Sequence, residues 1–327
     1  MVSREAVIFA YRLLFGREPE SEAVITHYAT EVTDVNQLRE LFINSTEFRE
    51  NLEKMQTPRP LRLPFNGPAM DVELTASTEK LNALFIKTAN QWQHLGETQP
   101  HWSVLTNESY FQENFHQNSD AFYASGETEL TQFDATLNRA KISSHHFKRC
   151  VELGCGVGRV TIPLAQRFEQ VVALDISQAH LSVAKHYTNE KAIHHISFEH
   201  LSQIYAISQI EEFDVLYSRI VLQHNSPPVM ATLLNQLLAK LRPGGVAFFQ
   251  IPTYKAGYRF CIEDYLAQEN TTAMEMHFFP QTALFELITN QHCRLLEIRE
   301  DDAIGLSVTA VSNTILVQKN SSERFRN

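Results

Sequence analysis

Cysteine is scarce in this chain, and its spacing excludes two common uses. Only four of the 327 residues are cysteines, at positions 150, 155, 261 and 293. No two of them have the C-x-x-C spacing of a zinc knuckle or a redox pair. The paired histidines at 145–146 and 194–195 also lack companion ligands nearby. We therefore expect reduced thiols and no metal site.

The chain is also poor in positive charge. It has 28 lysines and arginines against 38 aspartates and glutamates, which gives a formal net charge of -10, and the basic residues form no cluster. Affinity for nucleic acid depends mainly on lysines and arginines that neutralise phosphates. The composition therefore predicts a protein with no nucleic-acid partner.

Long apolar runs are absent as well. No stretch approaches the length that is needed to cross a bilayer. The first residues, Met1 to Glu5, do not form a basic region that leads into an apolar stretch with a cleavage site. These features predict a cytoplasmic, soluble protein without a membrane span.

What the chain does contain is a glycine-rich turn between an apolar run and a helical pattern. It has the form Glu152-x-Gly154-x-Gly156-x-Gly158. A dinucleotide fingerprint needs a third glycine three places after the second, but Arg159 stands there, and starting from Gly156 instead puts Thr161 in that place. The turn therefore predicts a nucleotide-type cofactor but disfavours NAD.

A carboxylate follows at the distance that a strand–helix–strand unit requires. The apolar run 171–174 ends in Asp175, about 20 residues after the turn. A carboxylate there can accept hydrogen bonds from both hydroxyls of a ribose, while glycines without Cβ atoms let backbone amides approach the cofactor. Glycine turns and strand-end acids also occur in sheets that bind nothing, but the two together favour a cofactor site.

These motifs resemble class I S-adenosylmethionine (SAM)-dependent methyltransferases. The block 241–245 (Leu-Arg-Pro-Gly-Gly) is similar to the turn before the fifth strand in that family. The resemblance covers roughly residues 77–319. It implies an α/β fold with a Rossmann-like seven-stranded sheet whose last two strands form an antiparallel hairpin.

The strand pattern continues in the order that such a sheet needs. Helical periodicity over 229–241 separates the fourth and fifth strands and stops at the proline and glycines of 242–245. The predicted strands after 171–175 lie at 196–199, 213–217, 246–250, 294–298 and 313–317.

The resemblance also implies which residues hold SAM. Gly154, Gly156 and Asp175 are the central contacts, and Tyr123 is expected to contribute a ring face to the sulfonium cation from a covering helix. An aromatic side chain of that helical cap can equally be plain core. The other predicted cofactor contacts are Glu152, Cys155, Gly158, Ile176, Leu201 and Ser218.

Two histidines are candidate general bases for the methyl acceptor. His224 follows the fourth strand, and His277 lies in an aromatic, charged segment (252–280) that we expect to build the acceptor pocket at the carboxyl ends of the strands. A hydroxyl acceptor benefits from a base, whereas an amine or thiolate does not need one. Either histidine can also be structural.

A separate helical unit precedes this region. Apolar residues at helical spacing predict four helices in a bundle over 1–57. Segments 10–19 and 44–48 resemble a bacterial helical module that recurs in cell-surface and polysaccharide-associated proteins. The resemblance implies a link to glycan or surface-polymer assembly; a docking or self-association bundle is the alternative.

The sequence thus divides into a bundle (1–57), a proline-rich linker (58–76), a helical cap (77–147), a methyltransferase domain (148–319) and a tail (320–327). We predict SAM-dependent methylation, at oxygen, of a small or glycan-linked acceptor. A non-catalytic SAM-binding scaffold and an NAD-dependent oxidoreductase are the alternatives.

Overall fold

A computed structural model describes residues 2–15, 17–48, 68–269, 274–305 and 309–321. The chain divides into two compact units, Met1–Pro64 and Phe65–Asn327. Within the described ranges, no helix is both long and apolar enough to cross a membrane.

Within its described residues, the first unit contains α1 (Arg4–Phe15), α2 (Glu22–Glu31) and α3 (Val35–Ile43), and a further helical stretch begins at 46–48. Side-chain caps define two of their starts: Asp34, for example, accepts backbone N–H bonds of 2.8 and 3.0 Å at the start of α3. The apolar stripes predicted from the sequence meet in one core that includes Val7, Tyr11, Leu38 and Phe42. Most of the predicted fourth helix lies outside the described residues.

The second unit is built around a seven-stranded sheet. Its strands are β2 (Arg149–Leu153), β3 (Gln170–Asp175), β4 (Ile196–His200), β5 (Phe213–Ser218), β6 (Leu241–Lys255), β8 (Cys293–Asp301) and β9 (Ala310–Lys319). The order across the sheet is β4-β3-β2-β5-β6-β9-β8. The first five strands are parallel, and β9 runs antiparallel to both β6 and β8. The predicted α/β, Rossmann-like sheet with a terminal antiparallel hairpin is confirmed.

Alternate residues of each central strand enter the cores on opposite faces of the sheet. In β2, Val151 and Leu153 belong to one core and Cys150 belongs to the other. Strands that are buried on both sides read as continuous apolar runs, because neither face meets water. This is why β2, β3 and β5 could be recognised in the sequence without alternation.

Helices cover both faces of the sheet. They are α4 (Thr78–Thr98), α5 (Pro100–Val104), α6 (Phe115–Arg139), α7 (Thr161–Arg167), α8 (Gln178–Glu190), α9 (Pro227–Ala239), α10 (Ile262–Ala267) and α11 (Gln281–Asn290). Short 3₁₀ turns lie at Glu108–Tyr110, Ala206–Gln209 and Leu222–His224. Side chains of α4 and α9 enter one core and those of α6 and α7 enter the other.

The turn expected at 242–245 is a bulge within β6. The pairing of β5 with β6 passes from Phe213–Leu241 to Val215–Val246. Between these two pairs the chain advances by two residues on β5 and by five residues on β6. Gly244 has a φ of +82°, which glycine adopts without strain. The glycines therefore bend the strand instead of ending it, and α9 ends at Ala239, two residues before the predicted end.

The end of the predicted linker belongs to the second unit. Asp71–Val72 (β1) pairs in parallel with Arg259–Phe260 (β7), and the two form a small separate sheet. Ile262 N–H donates to a carboxylate oxygen of Glu73 at 2.5 Å. Residues 68–76 thus have a fixed place beside the segment between β6 and α11, while Pro58, Pro60 and Pro64 lie outside the described residues.

Candidate cofactor site

A cavity opens at the carboxyl ends of β2, β3 and β5, where open α/β sheets bind ligands. It holds about 990 Å³ of space between protein atoms, part of which is open to solvent. Helices α4 and α5 of the cap contribute to its wall together with the glycine turn. The lining residues are Trp92, Ser103, Val104, Glu152, Leu153, Gly154, Cys155, Gly156, Arg159, Val160, Asp175, Ile176, His180, Leu201, Tyr217, Arg219, Ile220, Val221, Asn225 and Leu233.

The glycine turn is fixed to the end of β3. The N–H groups of Gly154 and Cys155 both donate to the carbonyl of Leu174, at 2.7 and 3.0 Å. Gly156 has a φ of +53°, and a Cβ added there would lie 2.7 Å from a Val104 methyl carbon. A side chain at this position would therefore be strained and would press on the cavity wall, so the backbone itself forms the surface that a ligand meets.

Asp175 ends β3 inside the cavity wall. One carboxylate oxygen accepts the Gly156 N–H and the other accepts the Ser177 N–H, both at 2.8 Å. These two amides orient the carboxylate, and each oxygen keeps a lone pair for a further donor. The arrangement suits a ligand with two adjacent hydroxyls.

Glu152 is the buried acid of the glycine motif. It is 3% exposed, and the Thr161 hydroxyl donates to it at 2.6 Å. Burial raises the pKa of Glu152 to about 7, which outweighs the opposing effects of Thr161 and Arg159. The carboxyl is therefore divided between its neutral and ionised forms near neutral pH.

We expect Glu152→Gln to make the protein more stable than the wild type at pH 8 but not at pH 4. The folded-state pKa lies above the ordinary value of 4.5, so Glu152 favours the folded state fully below that value and loses this contribution as pH rises to about 7. At about 1.4 kcal/mol per pKa unit, the difference amounts to roughly 3 kcal/mol.

Thermal melts at several pH values, with the exposed Glu169→Gln as control, measure this difference. Buried histidines such as His224 titrate in the same range, so the difference between variant and wild type is the quantity that matters. Parallel stability curves for the two proteins would contradict the assignment.

Most of the predicted cofactor contacts meet in the cavity, but Gly158, Ser218 and Tyr123 do not line it. Cys155, Ile176 and Leu201 line the cavity together with Glu152, Gly154, Gly156 and Asp175. The Ser218 hydroxyl donates instead to the Leu153 carbonyl at 3.1 Å, and Gly158 has a φ of +86° next to Ala184. Ser218 and Gly158 therefore stabilise the turn from the side that does not face the cavity.

The structure places Tyr123 away from the cavity. Its ring stacks on Tyr187 at a centroid distance of 3.5 Å, and its hydroxyl lies 3.4 Å from the Val157 carbonyl. Burial raises the pKa of Tyr123 well above its usual value. The aromatic side chain that the cap does present to the cavity is Trp92 of α4, which was not among the predicted contacts.

Neither of the two candidate bases lines the cavity. The His224 Nδ1–H donates to the Glu275 carbonyl at 2.8 Å, and Nε2 lies 3.2 Å from the Gln223 amide nitrogen. Burial lowers the pKa of His224 to about 4. His277 receives a hydrogen bond of 2.9 Å from Tyr258 at Nδ1. The ring centroid of His224 lies 5.1 Å from that of Trp92. His224 therefore contacts a residue of the cavity wall and not the cavity itself.

Five buried polar atoms of the cavity wall have no hydrogen-bond partner among the described residues. They are His180 Nδ1, Asn225 Oδ1, Tyr217 OH, Arg159 Nε and Arg219 Nε. Buried polar groups are normally paired, so a ligand with several polar groups would complete this wall. From the sequence, Arg159 served only to disfavour NAD, and neither His180 nor Arg219 was a predicted contact.

The chain resembles known methyltransferases over part of its length. Residues 150–245 match a family model described as a methyltransferase domain. Trans-aconitate 2-methyltransferase of Deinococcus radiodurans is 36% identical over 114 residues, which is 35% of this chain and 42% of that protein. Ubiquinone biosynthesis O-methyltransferase of Stutzerimonas stutzeri is 30% identical over 116 residues, 35% of this chain and 49% of that protein. The chain spans less than half the length of these relatives.

Solved structures show weaker similarity over more of the chain. N-methyltransferase NodS from Bradyrhizobium japonicum, solved with S-adenosyl-L-homocysteine, covers 71% of this chain and 98% of its own, at 18% identity and a TM-score of 0.47. Magnesium protoporphyrin IX methyltransferase from Synechocystis PCC 6803 covers 72% and 100%, at 14% identity and a TM-score of 0.49.

The family match spans the glycine turn, Asp175 and the strands β2 to β5, which are the elements that form most of the cavity. The strand order and the antiparallel β8–β9 hairpin agree with the fold that the resemblance implies. Residues 150–245 of this chain are therefore similar to a methyltransferase domain.

Proposed function

We propose that the chain transfers a methyl group from SAM to an oxygen atom of a small or glycan-linked acceptor. The observation that carries this proposal is that the glycine turn and the Asp175 carboxylate meet at the carboxyl ends of β2 and β3. The similarity to the O-methyltransferase of Stutzerimonas stutzeri supports transfer to oxygen.

The residues of the cavity fit the cofactor. Asp175 would accept the ribose hydroxyls, the turn at Gly154–Gly156 would lie against the cofactor with its backbone, and Leu201 would offer apolar surface. Trp92 presents an aromatic ring that can attract a cation. Bound SAM would supply a methyl group on a positively charged sulfur. The protein's own task is to hold an acceptor atom opposite that methyl group and to keep water away.

The position of the histidines bears on whether a base takes part. His224 is neutral near pH 7 because burial lowers its pKa to about 4, and both ring nitrogens have protein neighbours. A direct role as base would require the wall around Trp92 to move. We therefore propose that His224 positions Trp92. We propose that His277 stabilises the segment that contacts α10, through its contacts with Tyr258 and Tyr265. An acceptor that is already ionised, such as a carboxylate, would need no base.

The first unit supports the glycan-linked form of the proposal. Its sequence resemblance to a module of polysaccharide-associated proteins links the chain to surface-polymer assembly. Three of its helices pack as an independent core in the structure. Self-association or protein docking through residues 1–57 is the alternative role of this unit.

We expect calorimetry to show binding of S-adenosyl-L-homocysteine (SAH), the product of methyl transfer, and no binding of NAD. The turn offers glycine at the places that the methyltransferase motif needs, whereas Arg159 occupies the place of the third dinucleotide glycine. Both ligands are titrated into the full chain under the same conditions. Binding of NAD without SAH would overturn the proposal in favour of an oxidoreductase.

A second measurement separates an enzyme from a SAM-binding scaffold. Release of SAH from SAM is followed while panels of hydroxyl-bearing and carboxyl-bearing small molecules and sugars are added. We expect at least one panel to raise SAH release above the background. Tight SAH binding with no acceptor-dependent release in any panel would support the scaffold.

A further inference from the structure

Two arginines of the cavity wall share a single carboxylate. Glu129 of α6 accepts from Arg159 at 3.2 Å with one oxygen and from Arg219 at 2.8 Å with the other. The side chains of Arg159 and Arg219 are 8% and 10% exposed, and that of Glu129 is 18% exposed. The three groups together carry one net positive charge in a place that is nearly closed to water.

Among the described residues, no acid other than Glu129 lies within ion-pair distance of these two arginines. Asp175 already accepts two backbone N–H bonds and faces the turn. Glu152 is partly neutral near pH 7, because burial raises its pKa to about 7. A desolvated positive charge without an equal counter-charge is costly, so an anion that enters the cavity would be favoured there.

The unpartnered atoms at this place are mostly donors. The Nε–H groups of Arg159 and Arg219 and the hydroxyl of Tyr217 are buried and have no partner among the described residues. A guanidinium can only donate, and its planar fork matches the two oxygens of a carboxylate. Tyr217 is 1% exposed, so its hydroxyl is out of the reach of bulk water.

We propose that Arg159, Arg219 and Tyr217 form a carboxylate-binding subsite of the cavity. The inference deepens the proposed function and rests on it. Two ligands of that reaction can supply the carboxylate: the amino-acid end of SAM, and an acceptor that is itself a carboxylic acid. Both use the same chemistry, so the experiment has to tell them apart.

Arg167 provides a matched control, because it too pairs with carboxylates of α6. It joins α7 to α6 through bonds of 2.8 Å to Glu127 and 2.9 Å to Asp134, but it does not line the cavity. Arg167 thus pairs one guanidinium with two carboxylates. At the subsite, in contrast, two guanidiniums share the single carboxylate of Glu129. An arginine that serves only to hold helices together should behave like Arg167.

The test compares Arg159→Gln and Arg219→Gln with Arg167→Gln by calorimetry on the full chain. The ligands are SAH, 5′-methylthioadenosine, which has the same nucleoside without the amino-acid group, and citrate as a simple carboxylic acid. We expect the two cavity variants to lose about 10- to 100-fold in affinity for a carboxylate ligand, with 5′-methylthioadenosine and the control unchanged. Arg219→Lys, which keeps the charge but loses the fork, should give an intermediate loss and serves if a glutamine variant does not fold.

The pattern identifies the source of the carboxylate. Loss of SAH affinity alone assigns the subsite to the cofactor, and loss of citrate affinity alone assigns it to the acceptor. Equal affinities of wild type and cavity variants for both ligands would overturn the subsite. If the wild type bound neither nucleoside, the proposed function would fail, and citrate alone would then decide whether the subsite stands.

Discussion

Asp175→Asn is expected to weaken SAH binding by about 10- to 100-fold. A charge-assisted hydrogen bond contributes roughly 1.5–3 kcal/mol, and the substitution removes the charge that would hold the ribose. It also leaves an amide group facing the N–H of Gly156 or Ser177, so the free energy of unfolding should fall by about 1–3 kcal/mol. Calorimetry and thermal melts on the same preparation separate the two effects.

Asp214 offers a control for this experiment, because it lies near the start of β5, whereas Asp175 lies at the end of β3. Its carboxylate accepts the backbone N–H groups of Lys148 and Arg149 at 2.8 and 2.9 Å and contacts Arg242 at 3.2 Å. Burial raises the pKa of Asp214, but these partners outweigh it and hold the pKa below its ordinary value. Asp214→Asn should therefore cost stability without changing SAH affinity. Equal SAH affinities for both variants would remove Asp175 from the cofactor site.

Gly126→Ala is expected to destabilise the protein, which is the reverse of the usual effect of alanine in a helix. Alanine within a helix is normally favoured over glycine by roughly 0.5–1 kcal/mol. A Cβ on Gly126 would lie 2.1 Å from the backbone oxygen of Arg159, and a backbone atom cannot turn aside as a side chain can. Moving α6 off the glycine turn should cost about 1–3 kcal/mol and weaken SAH binding.

Thr128→Ala is the matched control for Gly126→Ala, because Thr128 is exposed on the same helix. Its melting temperature should stay close to that of the wild type, while that of Gly126→Ala falls by several degrees. A rise in the melting temperature of Gly126→Ala would show that the helix and the turn are not in contact.

The local part of the site could be predicted from the sequence. The glycine turn, the strand before it and Asp175 lie within one strand–helix–strand unit, so their spacing alone fixes their proximity. The strands β2, β3 and β5 were recognisable for a similar reason, since each is a short apolar run bounded by turns. The bulge at 242–245 was missed because proline and glycine signal an interruption without telling whether the strand resumes in the same line.

The cap side of the site could not be predicted, because it depends on how separate helices pack on the sheet. The sequence shows that α4 and α6 contain aromatic residues, but it does not show which of these residues faces the cavity. Trp92 does so, and Tyr123 packs on Tyr187 instead. His224 shows the same limit: it follows β5 as expected, yet its ring is turned into a buried network.

The small sheet of β1 and β7 has a kinetic consequence. Its two strands are only two residues long, yet about 188 residues separate Asp71 from Arg259 in the chain. The entropy of closing so long a loop must be recovered by few backbone pairs, so we expect this pairing to form late in folding. We also expect it to open at a lower free-energy cost than the seven-stranded sheet, which would release one end of the segment that follows β7.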